Sequence, residues 1–256
     1  MAPRLEGVWD APRQEAVRRA FLATGLPYAP EAWTSVRGAL DAYAQAWMER
    51  QHQACEATRV TRQASEELFL ARTACLDRRR AELKALTGLL SEANASEVEH
   101  AVEAVRGLSE LAPCDEAAVL GARVAPPREP EAVARVEALY TELARARALR
   151  ISGQYVAGLD AARPVAEDAR AQGYAPLTAE ALLELGQQQR GFGDPAAEHT
   201  LREAAWTVDE ALRQIRGDAP SDRATLGQLS DALDAQAVSV SREIRSRARL
   251  AAILFG

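Results

Sequence analysis

Lysine is almost missing from this 256-residue chain: Lys84 stands alone, and arginine carries the remaining positive charge. Acidic residues still outnumber basic ones, 37 against 31, for a formal net charge of −6. Such a chain repels a phosphate backbone overall, so nucleic-acid binding would require a local basic face. The densest basic run, Arg78-Arg79-Arg80, is diluted by Asp77 and Glu82 and reads as a solvated helix face. Histidine is scarce as well, with His52, His100 and His199 the only three. Nucleophilic catalysis would need Ser or Cys beside one of them. His52 and Cys55 share a helix face at a three-residue step, but two ligands do not make a zinc site. Neither a metal nor a cofactor is expected. The carboxylate pairs Glu66-Glu67 and Asp115-Glu116 fall near helix starts, where negative charge favours the helix dipole.

No window approaches the roughly 18 consecutive apolar residues of a membrane span, and the first nine residues, Met1 to Trp9, lack the apolar core of a secretory signal. If Met1 is the natural start, the protein is expected in the cytoplasm. Three cysteines, Cys55, Cys75 and Cys114, are too few and too scattered for a disulfide scaffold. Free buried thiols are the default reading, because cysteine packs as a small apolar residue. One pairing has a geometric argument: with a turn at Asn94-Ala-Ser96, Cys75 and Cys114 lie almost equidistant from it along two antiparallel helices. A bond there would imply an oxidising compartment.

Aromatic residues make up only 5% of the chain, while alanine, leucine, glutamate and arginine are abundant. These side chains lose little rotamer freedom in a helix, so an all-α protein is expected. Its 48% apolar content suffices for a real core. A short stripe, Ala16, Val17, Ala20 and Phe21, ends at Gly25-Leu-Pro27. A long one follows from Glu31 to about Arg59, with Trp33, Val36, Leu40, Tyr43, Ala44 and Trp47 at three- and four-residue steps. Trp33, Tyr43 and Trp47 read as core, with a stacking platform for a ligand as the alternative. A further helix runs from about Ala64 to Leu90, and Ser96 with Glu99 predicts a capping box for the next. Pro113-Cys114-Asp115 interrupts the pattern. Three prolines in Ala125-Pro-Pro-Arg-Glu-Pro130 mark a linker.

Beyond the linker, two helical hairpins share one grammar. In the first, Val133, Val136, Leu139, Leu143, Ala146 and Leu149 lead to Gly153, and Tyr155, Leu159, Ala162, Val165 and Ala169 return. In the second, Ala181, Leu182, Leu185 and Gly186 lead to Gly191-Phe-Gly193, and Ala197, Leu201, Ala204 and Val208 return. Gly191-Phe-Gly193 follows a helix and not a strand, so it is no dinucleotide loop. Gly153 and Gly193 lie 40 residues apart, a helical-repeat period, and the hairpins resemble a pair of tetratricopeptide units. The expected layout is an N-terminal helical domain over 1–124, the linker 125–130, two tetratricopeptide-like hairpins over 131–216, and a C-terminal capping helix within 217–256. That last helix would run through Leu226, Leu229, Leu233, Ala237, Val240 and Ile244. The apolar end Leu250 to Gly256 either folds back as a cap or marks a partner-binding or truncated surface.

The N-terminal half also resembles the region that follows the kinase and membrane helix in myxobacterial-type serine/threonine protein kinases with tetratricopeptide repeats. The resemblance rests on Trp9, Ala20 to Gly25, Pro27-Tyr28-Ala29, Leu40-Asp-Ala-Tyr43 with Trp47, Cys55-Glu-Ala-Thr58, Cys75-Leu-Asp-Arg78-Arg79 and Cys114. In the repeats it continues through Gly153-Gln-Tyr155, Gly173-Tyr174, Leu185-Gly186, Gly193-Asp194 and Leu201-Arg-Glu-Ala204. It implies a sensor or docking module attached to a signalling kinase, or an extracytoplasmic module that has lost its membrane helix. The chain carries no glycine-rich phosphate loop, no strand lysine, no His-Arg-Asp loop and no Asp-Phe-Gly loop, so it is not itself a kinase.

The expected function is therefore non-catalytic: a scaffold that binds a protein or peptide partner, such as a kinase or its regulator, in a groove lined by first helices. Arg147, Arg150, Gln187 and Arg190 are the expected exposed groove residues, and arginine's planar fork suits an acidic or carboxylate-bearing peptide. The alternatives are the regulatory segment of an active kinase, or a small-molecule sensor whose ligand enters around Trp33, Tyr43 and Trp47.

Overall fold

The structure is a computed structural model that describes residues 5–62, 64–115 and 127–218, the side chains as far as 208. Among the described residues the fold is all-helical, as expected, with eight α-helices and no strand. They are α1 (Ala11–Ala23), α2 (Ala29–Cys55), α3 (Glu66–Leu90), α4 (Ala95–Arg106), α5 (Pro130–Ile151), α6 (Tyr155–Gln172), α7 (Ala175–Phe192) and α8 (Ala197–Asp218). No described helix is long and apolar enough to cross a membrane. The expected C-terminal helix, the apolar end and residues 125–126 of the expected linker lie outside the described residues.

Contacts divide the chain into two compact units, Met1–Asp115 with Tyr140–Ala161, and Glu116–Leu139 with Ala162–Gly256. The division runs through α5 and α6, whereas the proline run places a boundary at 125–130. Tyr140 and Arg147 meet α3, and Arg135 pairs with Asp168 of α6.

In the first unit α1, α3 and α4 all pack on α2. The reason lies in the α2 stripe: Val36, Leu40, Ala44 and Trp47 are buried, and they meet a core that includes Val17, Phe21, Leu76, Leu83, Leu86 and Ala101. Asp10 caps α1 by accepting from the Arg13 amide at 3.0 Å, and Ser65 caps α3 by accepting from Leu68 at 3.1 Å. The capping box of α4 is formed by Asn94 and Glu97, not by Ser96 and Glu99. Asparagine two residues upstream reaches the free amides first, so α4 begins one turn-fraction earlier than serine alone predicts. At its C-terminus α2 widens into a π-helical turn, Glu56–Val60, closed by the Thr61 amide on the Glu56 carbonyl at 3.0 Å. Arg62 follows at φ 56°, a left-handed position unusual for a side-chain-bearing residue.

The second unit is centred on α7, which buries eleven residues, polar Thr178, Glu184, Gln187, Gln188 and Gln189 among them. Gly186 lets α8 approach: a Cβ there would stand 2.7 Å from Leu201 Cγ. Thr178 Oγ1 donates to the Ala169 carbonyl at 2.9 Å, tying α7 to α6. Arg170 grips Glu203 with two parallel bonds of 2.8 Å, tying α6 to α8.

Helices α5 and α7 end alike. At Gly153 (φ 78°) the amides of Gly153 and Gln154 donate to Arg150 and Leu149, both at 2.9 Å. At Gly193 (φ 82°) those of Gly193 and Asp194 donate to Arg190 and Gln189, at 3.1 and 2.8 Å. This is the same left-handed glycine cap, with the same bonding pattern, at a spacing of 40 residues.

Candidate interaction surface

The first unit holds a desolvated charge cluster that the sequence did not announce. Glu82 on α3 accepts at Oε1 from Arg79 Nη1 (2.9 Å) and Arg147 Nη1 (2.7 Å), and at Oε2 from the Ser109 amide (3.3 Å). Arg147 Nη1 also reaches Ser109 Oγ at 2.9 Å, and the Tyr43 hydroxyl donates to the Ser109 carbonyl at 2.9 Å. Burial alone would raise the Glu82 carboxyl, but Arg147, Arg79 and the Ser109 hydrogen bonds outweigh it and hold the group below the ordinary glutamate range. Burial, helped by the Glu82 charge, pushes the Tyr43 phenol up. The cluster stays ionised and acts as a clip between helices.

Ser109 belongs to a strap, residues 107–115, which is fastened to the unit along its whole length. Gly107 lies under Ile151, where an added Cβ would stand 3.0 Å from Cγ2. Cys114, in the 3-10 turn Ala112–Cys114, is bonded to Cys75 of α3 with the Cα atoms 5.6 Å apart. Asp115 accepts from Arg50 Nε at 2.9 Å through its carboxylate and from Arg72 Nη2 at 3.0 Å through its carbonyl. The default of three free thiols is thereby corrected. The pairing is the one the turn at 94–96 suggested, but Cys114 reaches Cys75 of α3 from the strap beyond the end of α4 and not from an antiparallel helix, and only Cys55 is free. Asp115 is an ion-pair partner here, and Glu116, the other member of its carboxylate pair, lies outside the described residues.

The four expected groove residues divide. Arg147 is drawn inward by Glu82 and Ser109, its side chain 17% exposed, and so is not an open anchor. Gln187 is buried because α7 is covered on nearly all sides, which the polar run Gln187-Gln188-Gln189 conceals. Arg150 is half-buried. Arg190 is exposed, and Phe192, which sequence reasoning passed over, stands 59% exposed at the same helix end.

The arginine run is not a solvated face either. Arg78 lies over the Tyr140 ring, 3.9 Å from its centroid, and Arg79 serves Glu82, while Arg80 pairs loosely with Asp77 at 3.5 Å. The three aromatics expected to share a cluster separate as well. Trp33 packs with Trp9 and Phe21, with centroids 6.4 and 6.2 Å away, whereas Trp47 is buried and donates to the Leu76 carbonyl at 2.7 Å. Tyr43 serves Ser109. Among the described residues no three His, Cys, Asp or Glu side chains gather as metal ligands.

No family model matches the chain, and neither a curated protein nor a solved structure matches it.

Proposed function

We propose that the chain is a non-catalytic interaction module, built on tetratricopeptide-like hairpins, that recognises a protein or peptide partner. The observation that carries this reading is the repeated helix cap. Two hairpins turn through the same glycine geometry, and each first helix brings an arginine, Arg150 or Arg190, to the same place in its turn. Repetition of one supersecondary unit supports a scaffold whose surface recognises extended or helical segments through a few anchors. At the end of α7 the exposed Arg190 offers a planar donor fork and the exposed Phe192 an apolar contact, a combination suited to an acidic peptide with a hydrophobic residue. In the terms of the kinase resemblance, this is a sensor or docking module. The buried Cys75–Cys114 bond favours an oxidising, extracytoplasmic location over the cytoplasm.

An array of acidic peptides, with and without a flanking aliphatic residue, tests the reading. Arg190→Ala and Phe192→Ala, made separately, are expected to weaken capture by about tenfold each, one charge-assisted bond or one buried side chain. Unchanged capture by both variants, with helicity retained, would remove α7 as the recognition element.

A further inference from the structure

We propose that Cys75 and Cys114 are the target of a thiol–disulfide oxidoreductase, and that their oxidation must precede the seating of residues 140–151 on α3.

The two sulfurs sit in the interior of the first unit: Cys75 is 2% exposed and Cys114 not at all. Thiol–disulfide exchange requires an outside sulfur to reach the one it attacks, and the closed unit leaves no route to either cysteine. Oxidation therefore belongs to a state in which the strap 107–115 stands away from α3. The same strap provides much of the seat for α5. Gly107 receives Ile151, Ser109 Oγ accepts from Arg147, and the Ser109 amide fixes the Glu82 carboxylate that Arg147 meets. Before the bond forms, the strap is free to leave and the seat is incomplete. Once it has formed, Ser109 is held five residues from an anchored sulfur.

The chemistry balances simply. One of the two thiols, as its thiolate, attacks the disulfide of the oxidoreductase, forms a mixed disulfide and releases one of the enzyme's thiolates. The second thiolate then attacks the chain's own sulfur in that mixed disulfide, closing Cys75–Cys114 and expelling the enzyme's other thiolate. Two protons and two electrons leave the chain, and the enzyme's disulfide ends as a dithiol. Cys55, half-buried at the end of α2, remains a thiol throughout. The identity of the oxidant rests on the extracytoplasmic reading above, whereas the order of events does not.

The full chain, refolded from denaturant with and without reductant, tests the order by hydrogen exchange. The reduced chain is expected to lose protection over 107–115 and 140–151 by about tenfold or more, while 11–55 stays within about twofold. Adding oxidised glutathione should restore both segments only as the count of alkylatable cysteines falls from three to one. Cys75→Ala/Cys114→Ala should reproduce the loss without any thiol reagent, and if that variant does not fold, the wild-type chain held reduced decides alone. Full protection of 140–151 in the reduced chain would overturn the proposed order. Alkylation inside the cells that make the protein tests the oxidant separately. One labelled cysteine supports it, and three would overturn the oxidoreductase assignment while leaving the order to the exchange experiment.

Discussion

Arg147 and Glu82 lie 65 residues apart in the chain and 2.7 Å apart in space, both largely withdrawn from solvent. Their pairing fixes α5 to α3, and it diverts to the interior an arginine whose sequence position suggested a binding anchor.

Truncating one partner of this pair should cost more than removing both. Arg147→Ala leaves a buried carboxylate with Arg79 as its remaining cation, at an expected cost of about 2–3 kcal/mol. The double replacement Glu82→Met/Arg147→Met is expected to cost less than that, because no carboxylate is then stranded and Arg79, the cation left behind, keeps partial access to solvent. Urea unfolding of the two variants beside wild type compares them directly.

The same carboxylate predicts an acid limb. Glu82 is held below its ordinary value of 4.5, so the folded state binds its proton less readily than the unfolded state does. Its contribution is fully present above that ordinary value and is lost as pH falls through the lowered folded value. Glu203, lowered by its hydrogen bonds from Arg170, acts in the same direction with a smaller effect because it is more exposed. Unfolding midpoints measured from about pH 7 to 3 should fall steeply below 4.5 in wild type and less steeply in Glu82→Gln.

Gly186 is a packing requirement. With Leu201 2.7 Å from any added Cβ, Gly186→Ala should destabilise the second unit by about 1–3 kcal/mol even though alanine is the better helix former. Adding Leu201→Ala should relieve the clash, so that the double variant costs less than the two single changes summed. Thermal melts of the three proteins provide the comparison.

Gly153 and Gly193 are required for a different reason. Nothing lies within 4 Å of an added Cβ at either position, so only the backbone objects. Gly153→Ala and Gly193→Ala should each cost about 1–2 kcal/mol, and replacement by asparagine should cost less, since it tolerates the left-handed region. Equal costs at the two positions, read by urea unfolding, are what matching caps require.

The helices were legible because their apolar residues recur at helical spacing and their ends carry strong punctuation. Gly153 and Gly193 mark the turns, and the 40-residue interval between them survives as identical hydrogen bonding. The interior was less legible where polarity misleads. Gln187 reads as surface, yet α7 is nearly enveloped, so its amides are buried beside Leu182 and Leu185. Arg79 and Glu82, at a three-residue step, could be seen as neighbours on one helix face. Their third member, Arg147, could not, because no local pattern links α3 to α5. The cysteine pair lies between these cases: symmetry about the α3–α4 turn made Cys75–Cys114 conceivable, and only the closed unit brings the two together.

The bond between Cys75 and Cys114 also turns residues 76–113 into a covalent ring that contains the whole of α4. A protease that nicks this ring once severs the backbone but releases no fragment. Such a molecule would travel as a single species in electrophoresis until a reductant separated its two pieces.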